Sequence, residues 1–291
     1  MFNVTIINAK GSIKKIAILI VTLILLFIIT KFIQNLKSTE IFKINLSSKL
    51  VNCFNNEINC VKIKNETSFD IPDDIMNTEL DIDKNNILIF HTHTCESYTP
   101  SEKYQYEQTG NFRTTDLNYT VARLGDELTN YLLGFGFKVN HDKTYHDYPA
   151  YTGSYTRSLE SVKKDLQENP SDIIIDLHRD AIGSKSDYDP SVKIGDDVAS
   201  QLMFLIGTNG GGLYHPNWQN NLRFAIKVQE IANEMYPGLF KPMIVRNSRY
   251  NQHLGKAAVI IEVGSTGNTL DQSLTSMKYL AKVFEKIKSP N

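Results

Sequence analysis

The sequence has little cysteine, no excess charge of one sign and few prolines, and each shortage excludes a class of protein. Its three cysteines, Cys53, Cys60 and Cys95, are too few for a disulfide scaffold and lack the C-x-x-C spacing of a structural zinc site. A pairing of Cys53 with Cys60 stays open, with free thiols as the simpler interpretation. The 31 basic and 32 acidic residues leave a net charge of −1, which argues against nucleic-acid binding. The 16 glycines and 9 prolines exclude a collagen-like or proline-rich chain.

One long apolar run stands near the N-terminus. Residues 16–30 are apolar or Thr throughout, and the following residues extend the run to the ~20 that a membrane-spanning helix needs. Lysines precede the run, which predicts a cytoplasmic tail over 1–15 and the remainder outside the cell. A cleaved signal peptide is the alternative, but the run is long and no A-x-A-like site follows it. The sequence therefore predicts a single-pass protein of the cell membrane with an anchor over 16–35.

The rest of the chain divides into a polar segment and an alternating body. Residues 36–84 are rich in Asn, Lys, Asp and Ser, which predicts a stalk with at most a small β element. From 85 to 291, apolar runs typical of buried strands alternate with helical periodicities. The predicted strands are 87–90, 137–139, 173–175, 202–206 and 257–263, and the predicted helices are 117–131, 159–166, 222–235 and 269–284. This alternation predicts an α/β domain with a mainly parallel sheet covered by helices on both sides.

Residues typical of metal and acid–base chemistry follow the predicted strands. His91 and His93 come directly after the first strand, and His178 follows the third. If the strand conformation persists, His91 and His93 share one face. Since ligands gather beyond the carboxyl ends of parallel strands, these imidazoles are expected to converge on one ion, with a nearby carboxylate completing the set. The pattern predicts a catalytic zinc site.

Glu262 lies inside the apolar run Ala257–Val263, where a charge is costly unless it is paired or functional. We interpret it as a catalytic acid or base, with a salt-bridged structural residue as the alternative. Cys95 has no evident base to activate it and is a poor candidate nucleophile. The remaining histidines show no partner pattern and are interpreted as solvent-facing or substrate-groove residues: His141, His146, His215 and His253.

Several motifs in order resemble those of the stage II sporulation protein P family over residues 86–288. The motifs are His91–Tyr98, His141–Thr144, His146–Pro149, Asp176–Asp180, His215–Trp218 and Ile261–Ser265. The resemblance implies a zinc-dependent peptidoglycan hydrolase related in fold to the N-acetylmuramoyl-L-alanine amidases of the cell wall. It also implies a second, endopeptidase activity on peptide cross-links.

The resemblance also implies roles for particular residues. The amidase pattern places metal ligands at His93, Asp116 and His178 and the catalytic glutamate at Glu262. The wall amidases have Glu where Asp116 stands, and Glu96 is the rival third ligand. His91 is a further ligand or a group that supports one. Arg179 and His215 are candidates for stabilising the tetrahedral oxyanion.

The family resemblance further implies a setting. Its members face the space between the mother-cell and forespore membranes and act during engulfment with stage II sporulation proteins D and M. Two rival functions stay open: another metal-dependent wall hydrolase, such as a polysaccharide deacetylase, and a non-catalytic module that binds the wall.

Overall fold

The structure is a computed structural model that describes Lys31 and residues 61–288 apart from 73, 76–78, 108–111 and 182–187. The predicted anchor over 16–35 lies outside the described residues except for Lys31, and so do Cys53 and Cys60. Within the described part of the chain, no helix combines the length and the apolar character needed to cross a membrane.

A seven-stranded sheet organises the domain. Its strands are β1 (Ile63–Asn65), β2 (Asn86–Phe90), β3 (Lys138–His141), β4 (Ile173–Asp180), β7 (Leu202–Gly207), β8 (Met243–Arg246) and β9 (Ala257–Ser265). Across the sheet they stand in the order β1-β8-β7-β9-β4-β2-β3. Neighbouring strands are parallel except for β7 and β9. The predicted α/β domain with a mainly parallel sheet is therefore confirmed. A separate antiparallel hairpin consists of β5 (Ser191–Ile194) and β6 (Asp197–Ser200).

Four α-helices accompany the sheet: α1 (Val121–Gly134), α2 (Ser154–Glu168), α3 (Trp218–Met235) and α4 (Leu270–Lys288). Odd-numbered residues of β2, β4 and β9, such as Ile87 and Ile175, lie in a large core with the buried residues of α1, α3 and α4. The alternate residues Leu88 and Ile174 pack instead with Val162 of α2. Because successive side chains of a strand point to opposite faces, the helices cover both sides of the sheet.

Side-chain caps fix where two helices begin. Helix α4 begins with a capping box, in which Thr269 N donates to Gln272 Oε1 (3.0 Å) and Gln272 N donates to Thr269 Oγ1 (3.3 Å). The predicted start of the first helix at Leu117 was wrong. Residues Leu117–Tyr119 form a 3-10 turn, and α1 begins only after Thr120, whose hydroxyl accepts a hydrogen bond from Ala122 N (3.2 Å).

The sheet is larger than the sequence pattern predicted. Strand β1 pairs with β8 at the sheet edge, so the sheet extends into the segment predicted as a stalk over 36–84. Strand β8 itself and the hairpin β5–β6 were not predicted, because each strand has only four residues and at most three consecutive apolar ones.

Candidate active site

The carboxyl ends of β2, β4 and β9 lie side by side and carry the predicted catalytic residues. His93 follows β2, while His178 and Glu262 lie within β4 and β9, where they are Cα partners in the parallel register. The imidazoles of His93 and His178 are buried, with ring centroids 5.2 Å apart and planes at 85°. The prediction that these two rings meet at one edge of the sheet is therefore confirmed.

Two carboxylates flank the His178 ring. Its Nε2 lies 2.7 Å from Asp176 Oδ1, and its Nδ1 lies 3.6 Å from Glu96 Oε2. Burial alone would lower the pKa of His178, but Asp176 and Glu96 outweigh it and hold this pKa well above its usual range. In the absence of another cation, a proton on His178 therefore balances the two carboxylates.

Glu96 is the carboxylate that the structure places beside the two rings. It is buried, and its Oε2 accepts a hydrogen bond from Arg179 N (3.0 Å). Burial alone would raise the pKa of Glu96, but its contact with His178 and the positive charge of Arg179 lower it to about 2. Glu96 is therefore ionised at neutral pH and able to act as a ligand.

Glu262 has the opposite electrostatic character. Its side chain is half-buried, with Oε2 shielded from solvent and without a hydrogen-bond partner among the described residues. Burial raises the pKa of Glu262 to about 8; Glu96 adds to the shift, and His178 opposes it. Two glutamates at one edge thus differ strongly in acidity, as separate roles for a ligand and a proton-transfer group require.

The residues present fit a zinc ion in their chemistry. Asp147 and Asp176 lie behind Nδ1 of His93 (3.9 Å) and Nε2 of His178 (2.7 Å), so Nε2 of His93, beside Tyr151, and Nδ1 of His178, beside Glu96, are the ring nitrogens on the ligand side. Two imidazoles and the Glu96 carboxylate are a donor set that catalytic zinc uses. Nevertheless, within the described residues no three His, Cys, Asp or Glu side chains are already gathered as a formed metal site.

Asp147 supports His93 from behind and was missed by the sequence analysis. Its buried carboxylate accepts a hydrogen bond from Cys95 N (3.2 Å), forms an ion pair with Arg113 and lies 3.9 Å from His93 Nδ1. A carboxylate behind a ligand histidine orients the ring and fixes its tautomer. In the sequence, its importance was indicated by its position in the motif His146–Pro149, which belongs to the family resemblance.

Tyr151 lies over the exposed side of His93. The two rings are stacked with centroids 4.5 Å apart and planes at 14°, and the tyrosine hydroxyl is 3.0 Å from His93 Nε2. The tyrosine hydroxyl is therefore a hydrogen-bond partner of Nε2 and would have to leave it for this nitrogen to bind a metal ion. The guanidinium of Arg113 also lies over the Tyr151 ring, 5.1 Å from its centroid.

Two predicted ligands lie apart from this group. Both ring nitrogens of His91 are engaged, with Nδ1 2.9 Å from Leu177 O and Nε2 2.9 Å from His141 Nε2. Because β2 ends at Phe90, the alternation expected to bring His91 onto the face of His93 does not continue. Asp116 is exposed and caps the 3-10 turn by accepting a hydrogen bond from Asn118 N (3.0 Å).

Other residues singled out in the sequence have structural surroundings. His146 was expected to face solvent or a groove, but it is buried, with Nδ1 2.8 Å from His91 O and Nε2 2.9 Å from Ser161 Oγ. His215 is also buried, and its ring neighbour is His253, 6.4 Å away between centroids. Burial and the Asp147 carboxylate raise the pKa of the Cys95 thiol to about 12, so Cys95 is a poor nucleophile.

Solved structures with a distant likeness are N-acetylmuramoyl-L-alanine amidases. That of Nostoc punctiforme is 11% identical with a TM-score of 0.37 and covers 71% of this chain and 96% of its own. That of Mycobacterium abscessus, in its apo form, is 12% identical with a TM-score of 0.39 and covers 69% and 95%. That of Clostridium difficile 630 is 14% identical with a TM-score of 0.36 and covers 71% and 98%. Nothing about function follows from so distant a likeness.

Sequence comparison identifies the family directly. The stage II sporulation protein P of Bacillus subtilis (strain 168) is 28% identical over 217 residues, which are 70% of this chain and 51% of that protein. This chain thus spans about half the length of that curated relative. The model of the family described as stage II sporulation protein P matches residues 33–285, and the chain therefore belongs to this family.

Proposed function

We propose that this protein is a zinc-dependent peptidoglycan hydrolase that cleaves the amide bond between N-acetylmuramic acid and L-alanine. The observation that carries the proposal is the meeting of His93, Glu96 and His178 with Glu262 at one edge of the sheet. Membership in a sporulation family supports peptidoglycan as the substrate and forespore engulfment as the setting. We choose this bond because the motif residues follow one another in the order of the amidase pattern.

His93, Glu96 and His178 are the residues that would hold the zinc ion. Bound zinc supplies Lewis-acid activation of water and of the amide carbonyl. Asp176 and Asp147 lie behind the two imidazoles and orient them. Glu96 takes precedence over Asp116 as the third ligand, because only Glu96 contacts His178 and is buried.

Glu262 is the group that moves the proton. A carboxyl group transfers protons best when its pKa lies near the working pH, and burial has brought the pKa of Glu262 to about 8. A cation beside His178 would lower the pKa of Glu262 from there toward neutral pH. Glu262 takes a proton from the attacking water at the shielded Oε2 and passes it to the departing alanine nitrogen.

Arg179 supplies positive charge to the same edge. Its side chain is buried, its Nε has no hydrogen-bond partner among the described residues, and its charge lowers the pKa of Glu96 and opposes the raised pKa of Glu262. We assign it to stabilisation of the negative charge that develops on the carbonyl oxygen. His215, the other candidate for this role, lies instead beside His253 and Arg249.

The bond that is cut is tested by mass analysis of digested sacculi. The full-length protein, purified in detergent and loaded with zinc, is expected to release intact stem peptides from the glycan. Cut cross-links would reveal the second, endopeptidase activity that the motifs imply. Release of acetate from intact strands would instead identify a deacetylase, and binding of sacculi without any product would identify a wall-binding module.

The location and partners belong to the same proposal. The apolar run over 16–35 anchors the protein in the membrane with the catalytic domain outside the cytoplasm, where peptidoglycan is accessible. Stage II sporulation proteins D and M are the proposed partners. Protease treatment of intact protoplasts tests the topology: loss of the catalytic domain is expected, and its protection would contradict the proposal. Co-purification of the full-length chain with each partner tests the assembly.

A further inference from the structure

Two loops meet at the sheet edge opposite the candidate active site. Strand β7 is antiparallel to β9 and parallel to β8, so β7 and β8 end at the edge away from the ends of β4 and β9. The loops that follow them are joined by hydrogen bonds from Gly211 N to Asn247 O (2.8 Å) and from Arg249 Nη1 to Tyr214 O (3.2 Å). The two loops therefore form one unit. It adjoins the candidate active site through Tyr250, whose ring lies 5.7 Å from that of Tyr155, a neighbour of His93.

His215 lies at the base of this unit with no polar contact to satisfy it. It is 1% exposed, and neither ring nitrogen has a hydrogen-bond partner in the described ranges. Nδ1 of the neighbouring His253 and Nε of Arg249 are also buried without a partner there. A buried polar group without a partner costs about 1–3 kcal/mol, so four such atoms in two loops require an explanation.

The charges of this cluster favour an anion over a metal ion. Burial, with the neighbouring His253 and Arg249, lowers the pKa of His215 to about 4. Burial with Arg249 and Lys163 lowers that of His253 to about 4 as well. At neutral pH each imidazole is therefore uncharged and donates one N–H. Among the described residues, no carboxylate forms an ion pair with Arg249. A donor-rich site beside a guanidinium repels cations and suits an oxyanion.

The loop that precedes His215 is exposed to solvent. Tyr214 is 77% exposed and Leu213 is 55% exposed, and residues 209–212 are exposed as well. Gly212 has a φ of 84°, a conformation that glycine adopts without strain, so this segment turns sharply just before His215.

We propose that His215, His253 and Arg249 form a second binding site, which takes a small oxyanion, either a carboxylate or a phosphate group. The imidazoles donate one hydrogen bond each, and the guanidinium supplies the positive charge. If the proposed function holds, the peptide part of the wall is the source of the carboxylate. Binding itself does not depend on hydrolysis, so the site and the reaction are tested separately.

The full-length protein is titrated at constant ionic strength with inorganic phosphate, an N-acetylated dipeptide with a free carboxylate, and the same dipeptide as its amide. Histidine-ring NMR and calorimetry follow binding, and the His253→Gln variant assigns the signals. Saturable changes at His215 and His253 are expected with at least one anion and not with the amide. The stronger of the two anions identifies the source. Absence of saturable changes with both anions would overturn the proposal and leave ordered water as the partner of these rings.

A matched pair of variants separates a specific site from general attraction. Arg249→Gln is expected to weaken anion binding at least tenfold. Arg246→Gln removes the same charge three residues away, where the side chain pairs with Glu66 at 2.9 Å, and is expected to leave binding unchanged. An equal effect of the two substitutions would contradict the assignment. Circular dichroism of both variants checks that they are folded.

Discussion

His178 and Glu262 are Cα partners on the adjacent parallel strands β4 and β9. Strands in register are held about 4.8 Å apart by the backbone, so the separation of these two residues does not depend on loop conformation. A ligand and a proton-transfer group on neighbouring strands are therefore positioned before any substrate arrives. Such preorganisation is what makes a catalytic group effective.

Substituting Glu262→Gln is expected to abolish wall hydrolysis while the zinc content is kept. Glutamine has nearly the same size but transfers no proton, and loss of a general base typically costs 10²–10⁴-fold in rate. Release of soluble fragments from sacculi measures the rate, and elemental analysis measures zinc. Glu230→Gln, at an exposed pair with Lys227, serves as the control and is expected to behave as wild type. Hydrolysis at the normal rate by Glu262→Gln would remove Glu262 from the mechanism.

The third zinc ligand is decided by comparing Glu96→Gln with Asp116→Asn. Glu96→Gln removes the buried charge beside His178, so we expect zinc affinity to fall at least tenfold. Asp116→Asn retains a side chain that caps the 3-10 turn and is expected to bind zinc normally. Competition with a chelator measures both zinc affinities. The His178→Ala variant is the reference for complete loss, because it is expected to lose both zinc and activity. The opposite order of the two variants would assign the ligand to Asp116.

The central sheet and most of the site follow from local patterns, because buried parallel strands are continuous apolar runs and their carboxyl ends meet. His93, His178 and Glu262 were found on this basis. His91 was expected to share a face with His93 only if the strand continued, and that condition is not met, because β2 ends at Phe90. Asp147 lies in a loop after β3 and reaches His93 only through the tertiary fold, so no spacing rule could place it.

Asp147→Asn is expected to weaken zinc binding 10–100-fold, because the asparagine no longer orients His93 through a negative charge. The amide oxygen still accepts the hydrogen bond from Cys95 N, so the loop should fold. Asp126→Asn is the control, since Asp126 contacts His141 (3.2 Å) and not His93. Zinc affinity by chelator competition is the readout, together with the melting temperature of the metal-free protein. Unchanged affinity would mean that Asp147 serves only the ion pair with Arg113.

The buried His215 is expected to make the protein sensitive to acid. Its pKa is near 6.5 in the unfolded chain and about 4 in the folded one, where burial and the neighbouring His253 and Arg249 disfavour a further charge. The free energy of unfolding is therefore unaffected by this residue's titration above pH 6.5. Between pH 6.5 and 4 it falls by up to about 1.4 kcal/mol per pH unit, because the unfolded chain binds a proton that the folded chain does not. His215→Leu should flatten this dependence and leave no hydrogen bond broken, because neither ring nitrogen has a partner among the described residues.

His146→Leu is the contrast: it removes contacts to His91 O and Ser161 Oγ and should lower stability at every pH. Urea unfolding between pH 4 and 8, in buffers free of phosphate and carboxylate, measures both variants, and an unchanged pH slope for His215→Leu would show that another group governs the acid sensitivity.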